Sequence, residues 1–242
     1  MEYTIKENMT NEEMEAVFLA EQERLRDRIS CTDIHDISEY RTIAGVDLAY
    51  WKENEQERAV CCIAVIDINT HEVVERKHFS GEIRVPYIPG FLAFREIPLI
   101  MGCVELLENE PDIYMFDGNG YLHPRHMGIA TQAALYLGKP SVGVAKTYFR
   151  VKDTDYEEPA PEAGSSTDIV IDGEVYGRVL RTHTGVKPVF VSAGNDISLD
   201  SAVKLAMMLT DKESHIPVPT RIADLDTHEA RAAIRETGEY NG

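Results

Sequence analysis

The first periodic signal along the chain is helical. Met14, Val17, Phe18, Leu25 and Ile29 recur at helical spacing through a charged segment ending near Cys31, and Thr10 followed by Glu13 has the form of a capping box. The period then shortens. Residues 42–50, 59–67 and 73–83 read as three strands, and the short connections around Asn54 and Asn69-Thr70 suit antiparallel hairpins. After this meander the pattern alternates: an apolar helical stretch to Leu107, a strand over 113–117, a helix over 125–137 and a strand over 141–145, an alternation that implies parallel pairing. Strand-like runs at 169–171, 175–181 and 189–192, a helix over 199–209 and a charged helix over 226–235 complete the pattern. The expected fold is α/β: a mixed five-stranded sheet, antiparallel meander plus parallel strands, flanked by helices.

Length and composition narrow this picture. At 242 residues, with 43% hydrophobic and 27% charged positions, the chain reads as one globular domain over 1–242. The acidic stretch 153–167, containing PAPEAGSS, reads as an exposed excursion. No apolar run approaches the roughly 18 residues of a membrane span, and the N-terminus lacks a basic-then-apolar leader, so the expected location is cytoplasmic and the expected state a monomer. The four cysteines form no CxxC pair and no metal-ligand spacing with histidine, which argues against zinc and a disulfide framework. Cys61 and Cys62, in AVCCIAVI, read as core residues facing opposite sides of a strand.

The net charge of -18 opposes a nucleic-acid partner in bulk, but its distribution is uneven. Residues 121–152 hold five basic residues, Arg125, Lys139, Lys146, Arg150 and Lys152, and no acid; 175–192 adds Arg178, Arg181 and Lys187, again without an acid. Acid concentrates at 1–23 and at 153–174, where eight acidic residues stand without Lys or Arg. Two basic segments are therefore candidates for a phosphate-facing surface, against the alternative of a charge-segregated surface with no partner.

Three carboxylates stand where an ionised group is costly or unusual. Asp47 sits in IAGVDLAY, inside an expected central strand, where it needs a cation or a partner. Asp117 ends the strand IYMFD before a glycine turn, the edge at which α/β sheets build sites. If the two strands are neighbours, the two carboxylates face each other; taken singly, each also fits an ordinary turn or strand-end aspartate. Glu96, in GFLAFREIPLI, precedes by two residues the helix-breaking Pro98, which could aim it inward; a solvated glutamate beside Arg95 is the alternative. Three carboxylates form a hard oxygen set suited to Mg²⁺, with Mn²⁺ able to substitute.

The element order resembles the ribonuclease H-like fold, and five strings in order, VDLAY, VPYIPGFLAFRE, FDGNGYLHPRHMGIA, VGVAKT and GRVLRT followed by KPVFVSAGN, resemble the endonuclease V family over nearly the whole chain. The resemblance implies a Mg²⁺-dependent nuclease that nicks DNA at the second phosphodiester 3′ to deoxyinosine, leaving 3′-hydroxyl and 5′-phosphate ends, in repair of deaminated adenine. It leaves inosine in RNA open as a substrate. It implies Asp47 and Asp117 as direct metal ligands, Glu96 completing the shell directly or through water, Lys146 facing the scissile phosphate, and His123 contacting phosphate or assisting proton transfer. His126 matches no motif position and is expected at the surface. Pro86, Tyr87, Ile88 and Pro89 would form a stiff wedge between bases, and Gly118, Asn119 and Gly120 the backbone of a pocket reading a flipped hypoxanthine. Asn195 stands where the family often has a histidine that contributes to the site, which puts a second metal position in question, with His183 and His215 the nearest substitutes. A non-catalytic inosine-binding protein and another ribonuclease H-like nuclease, such as a junction resolvase, are the competing readings. The intact carboxylates argue against the first, and the YIPG segment is left without a role by the second.

Overall fold

The structure is a computed structural model that describes residue 5 and residues 9–238; the expected domain over 1–242 extends past these at both ends. Helix α1 (Asn11–Arg26) opens with the expected capping box, in which Glu13 N–H donates to Thr10 Oγ1 at 3.2 Å and Thr10 N–H to Glu13 Oε2 at 2.8 Å. Strands β1 (Thr42–Glu53), β2 (Gln56–Asp67) and β3 (Val73–Glu82) form the antiparallel meander. Helix α2 (Leu92–Val104) carries Pro98, and β4 (Ile113–Asp117), α3 (Ile129–Leu137) and β5 (Ser141–Ala145) supply the parallel part, β1 pairing with β4 and β4 with β5.

All five expected strands are present in the order β3-β2-β1-β4-β5, and the sheet then continues to eight strands. Strands β6 (Ser166–Ile171), β7 (Glu174–Leu180) and β8 (Val189–Asn195) extend it antiparallel, with β8 against β5. Each of the three has a strand-like pattern of its own, but the β5–β8 pairing spans a long excursion that no local pattern announces. Helix α3 starts at Ile129 rather than near 125, because residues 118–128 are spent on turns. Helices α4 (Leu199–Met208) and α5 (Val218–Thr237) follow, and α5 begins eight residues before the expected 226.

The two sheet faces divide by the two-residue period of the strands. Ile43, Met115, Val142 and Val144 face one side and pack with Leu205 and Ala206 of α4 and Val218 of α5. Ala44, Val46 and Phe116 face the other and pack with Ile97 and Ile100 of α2 and Ala133 of α3. Cys61 and Cys62 obey the same alternation, Cys61 lying in the α2 cluster and Cys62 beside Trp51 and Ile234 of α5. Helix α1 is fixed outside the sheet by Phe18, which stacks on Phe94 of α2 with ring centroids 4.1 Å apart. Among the described residues no helix is long and apolar enough to cross a membrane.

Candidate active site

The pairing of β1 with β4 brings Val46 opposite Phe116, so Asp47 and Asp117 are the next residues of two adjacent parallel strands. Both belong to the face occupied by Ile43 and Met115, the α5 side of the sheet. A third carboxylate reaches them from that side. Asp224, in the second turn of α5, lies so that one ligand oxygen from each of Asp47, Asp117 and Asp224 falls within 4.8 Å of the other two, all three residues being half-buried. Helix α5 comes this close because β1 offers no side chain at Gly45: a Cβ there would lie 2.0 Å from the carbonyl oxygen of Pro219.

Lys146, just past β5, closes the cluster. Its ammonium donates to Asp117 Oδ2 at 2.6 Å and lies 3.3 Å from Asp224 Oδ1. One cation does not balance three carboxylates. Burial, with repulsion from Asp117, pushes Asp47 up to about 8, and burial also raises Asp117 although Lys146 opposes the rise. Lys146 itself is raised despite its burial, by its hydrogen bond to Asp117. Asp47 thus keeps its proton near neutral pH where a second cation would otherwise be, and a compact set of hard carboxylate oxygens with excess negative charge fits a divalent metal ion.

Glu96 is not one of the three clustered residues. It comes from α2, on the opposite face of the sheet, and its Oε1 accepts a 2.5 Å hydrogen bond from the Tyr50 hydroxyl. Burial raises Glu96 to about 7, opposed by Tyr50 and by neighbouring Arg95, with a further upward push from Asp117. It therefore stands close enough to feel the cluster without belonging to it.

The loop after β3 divides its residues cleanly. Val85 and Ile88 are buried against Met14, Phe18, Phe91 and Phe94, while Pro86, Tyr87 and Pro89 face outward and Tyr87 is 64% exposed. The projection is thus Pro86, Tyr87 and Pro89. Ile88, expected in the wedge, is instead part of its anchor, because the apolar pocket between α1 and α2 takes the side chain. The turn after β4 is packed backbone on backbone: a Cβ at Gly143 would lie 2.6 Å from both the Gly118 carbonyl oxygen and the Gly120 nitrogen. Gly120 N–H donates to Ser192 Oγ at 2.8 Å, and the Asn119 and Gly120 carbonyls accept from Ala130 and Gly128. Asn119 Oδ1 is buried without a partner.

Against this geometry the comparisons are decisive. The profile of the Endonuclease V family matches residues 23–225. The chain belongs to that family. It is 53% identical to endonuclease V of Bacillus subtilis (strain 168) over 214 residues, 88% of this chain and 90% of the relative. The crystal structure of the Bacillus subtilis endonuclease V superposes with a TM-score of 0.90 at 50% identity, covering 98% of this chain and 99% of the other. The crystal structure of Ciona intestinalis endonuclease V in complex with a 24mer DNA containing an inosine followed by a ribo-adenosine superposes with a TM-score of 0.81 at 28% identity, covering 92% and 99%.

Within this endonuclease V fold, His123, expected at the chemistry, and Asn195, whose role the sequence leaves open, have other partners. His123 is buried; its Nδ1 accepts from the backbone N–H groups of Arg125 (3.2 Å) and Met127 (3.3 Å), so the proton resides on Nε2, which donates to the Gly90 carbonyl at 3.1 Å. Burial, with nearby Arg125, holds it down to about 3, and both ring nitrogens are committed to structure rather than to a phosphate or a proton transfer. Asn195 is paired with Ser141, at the start of β5, whereas Asp117 pairs with Val144 near its end, which places Asn195 towards the opposite edge of the sheet. Its Oδ1 accepts from Ser30 N–H at 2.8 Å, so it bears on the loop after α1 and not on the carboxylate cluster. Burial, with His183 and Lys146, lowers His215. His126 is half-buried rather than superficial, its ring stacked on Tyr121 with centroids 3.9 Å apart.

The two basic segments are largely neutralised by acids of the stretch 153–174 and by Asp200 of α4. Arg150 pairs with Asp155, Lys152 with Asp172, Arg178 with Asp168 and Asp200, and Arg181 with Glu158. Buried Arg181 also donates to the carbonyls of Pro159 and Ala160, which pins PAPEAGSS to the sheet. Of the segment 121–152, Lys146 is the cation that reaches the carboxylates.

Proposed function

We propose that this chain hydrolyses a phosphodiester bond in inosine-containing DNA, with Mg²⁺ held by Asp47, Asp117 and Asp224. The observation that carries this reading is the three-carboxylate cluster beside Lys146 at the ends of β1, β4 and β5, in a chain that matches the Endonuclease V family over residues 23–225. When bound, the metal would supply Lewis-acid chemistry to the phosphate and to an attacking water. Mn²⁺ would serve in the same oxygen set.

The chain's own residues divide the remaining work. Lys146 places its ammonium beside Asp117 and Asp224, where it would stabilise negative charge developing on the scissile phosphate. Glu96, with Oε1 occupied by Tyr50, presents its other oxygen to orient water from the α2 side. The outward Tyr87, stiffened by Pro86 and Pro89, would fill the space left by a displaced base. The close-packed turn of Gly118, Asn119 and Gly120 would meet the flipped base with backbone and with the unpaired Asn119 Oδ1. A close fit of the base against this turn would reject guanine by its 2-amino group. By this reading the nick falls at the second phosphodiester 3′ to the inosine and leaves 3′-hydroxyl and 5′-phosphate ends, with RNA a further substrate.

End-labelled strands carrying a single deoxyinosine or inosine, incubated with Mg²⁺ or with EDTA and mapped on a sequencing gel, test this directly. Incision one nucleotide beyond the lesion in Mg²⁺ alone is the expected result. Incision elsewhere, or incision that survives EDTA, would overturn the reading.

A further inference from the structure

Arg95 is buried and touches four things at once. Its Nη1 donates to the carbonyl of Val85 at 2.7 Å, Nη2 pairs with Glu57 at 2.5 Å, its guanidinium lies 4.9 Å from the centre of the Tyr50 ring, and its chain neighbour is Glu96. Val85 is the root of the Tyr87 loop. Tyr50 stands on β1 three residues after Asp47, and its hydroxyl holds Glu96 Oε1 at 2.5 Å. The Tyr50 carbonyl also accepts from Arg231 of α5 at 3.2 Å, so the same residue touches the helix that carries Asp224.

We infer that Tyr50 and Arg95 are positioning residues that fix Glu96 and the base-wedging loop to one anchor, so that Tyr50 acts on the cleavage step and Arg95 on both recognition and cleavage. The inference rests on the function proposed above. A carboxylate at the end of a rotatable side chain has two equivalent oxygens. The hydrogen bond from Tyr50 removes that equivalence, committing Oε1 and leaving Oε2 for water. The flat guanidinium stacked on Tyr50 limits ring movement, while its fork fixes Val85 and Glu57 in the plane of the same group. Lysine, a point charge on a flexible stem, cannot hold both partners in one plane.

Tyr50→Phe keeps the ring and removes only the hydroxyl. Its kcat on a deoxyinosine strand should fall about tenfold to a hundredfold, the range found when a group that orients an active-site ligand is lost, with KM within about twofold of the parent. Arg95→Lys should raise KM and lower kcat together, and its KM effect should be non-additive with that of Tyr87→Ala. Tyr50→Phe should be additive with Tyr87→Ala. Circular dichroism on each variant checks that it is folded. A Tyr50→Phe enzyme with the parent kcat, or with its loss wholly in KM, would overturn the inference, as would an Arg95→Lys enzyme altered in kcat alone. The unsubstituted protein and Asp47→Ala run alongside: if the parent itself does not cut, the proposed function fails, whereas a cutting parent matched by Tyr50→Phe sinks only the positioning role.

Discussion

Asp47 and Asp117 are readable as a site from their neighbours in the chain, because each puts a charge where the surrounding residues are apolar, and only a cation or a partner makes that tolerable. Asp224 carries no such mark. It sits in RIADLDTHEA among charged neighbours, where an aspartate is the ordinary content of a solvated helix face. Glu96 differs in the other direction: its apolar setting is real, but the two-residue period of β1 and β4 puts Asp47 and Asp117 on the α5 side while α2 packs on the other, so Glu96 stands outside the three-carboxylate cluster. His123 shows the same limit, since a motif position says nothing of what its ring nitrogens bond. Held neutral with a pKa of about 3, against an unperturbed 6.5, His123 lets the unfolded chain bind more protons than the folded one between those values. Its contribution to stability is therefore complete above pH 6.5 and declines as pH falls towards 3. Urea unfolding at several pH values should show the acid-side loss shrink in His123→Gln, after allowance for the variant's lower stability at neutral pH. An unchanged pH slope would remove this role.

At the scale of elements, the site depends on how α5 meets β1. The pattern of charged and apolar positions makes the helix legible only from residue 226, although prolines at 217 and 219 are themselves a helix-start signal, and it is the missed first turns that hold Asp224. Gly45→Ala tests the contact: the added methyl cannot coexist with the Pro219 carbonyl at its present distance, so α5 must shift. A loss of about 1–3 kcal/mol in unfolding free energy is expected, with a steeper loss of cleavage as Asp224 moves from Asp47. Near-parental stability and activity together would show that the approach is not critical. The Tyr87 loop predicts the opposite division. Tyr87 is mostly exposed, and the loop is anchored by Val85 and Ile88, so Tyr87→Ala should change stability by no more than about 0.5 kcal/mol while weakening discrimination of inosine-containing from unmodified strands in a binding assay. Equal loss on both strands would argue against a wedge.

Across the whole molecule, all eight strands have a local strand-like pattern, but only the five-stranded part is expected as one sheet, because β6, β7 and β8 join it through the β5–β8 pairing across a long excursion, which periodicity does not encode. Charge behaves similarly. The basic segments and the acidic stretch 153–174 look separate along a chain of net charge -18, yet folding pairs them with each other, while at the carboxylate cluster three acids face Lys146. Stability should record that imbalance. Asp47 binds its proton more tightly in the folded chain, with a pKa of about 8 against 3.8, so the metal-free protein loses stability as pH rises through that interval. Metal binding needs the ionised carboxylate. Mn²⁺ added to EDTA-treated protein should therefore raise the melting temperature, and the rise should be larger above pH 8 than near pH 6. A rise that is the same at both would contradict the assignment of Asp47 to the metal.

The location of the metal is the claim on which the rest stands. Crystals soaked in Mn²⁺ and measured at the manganese absorption edge report it without reference to activity. The expected result is an anomalous peak about 2 Å from carboxylate oxygens of Asp47, Asp117 and Asp224 on the α5 side of the sheet. A peak centred instead on Glu96, or on the His183 and His215 pair without Asp224, would contradict it.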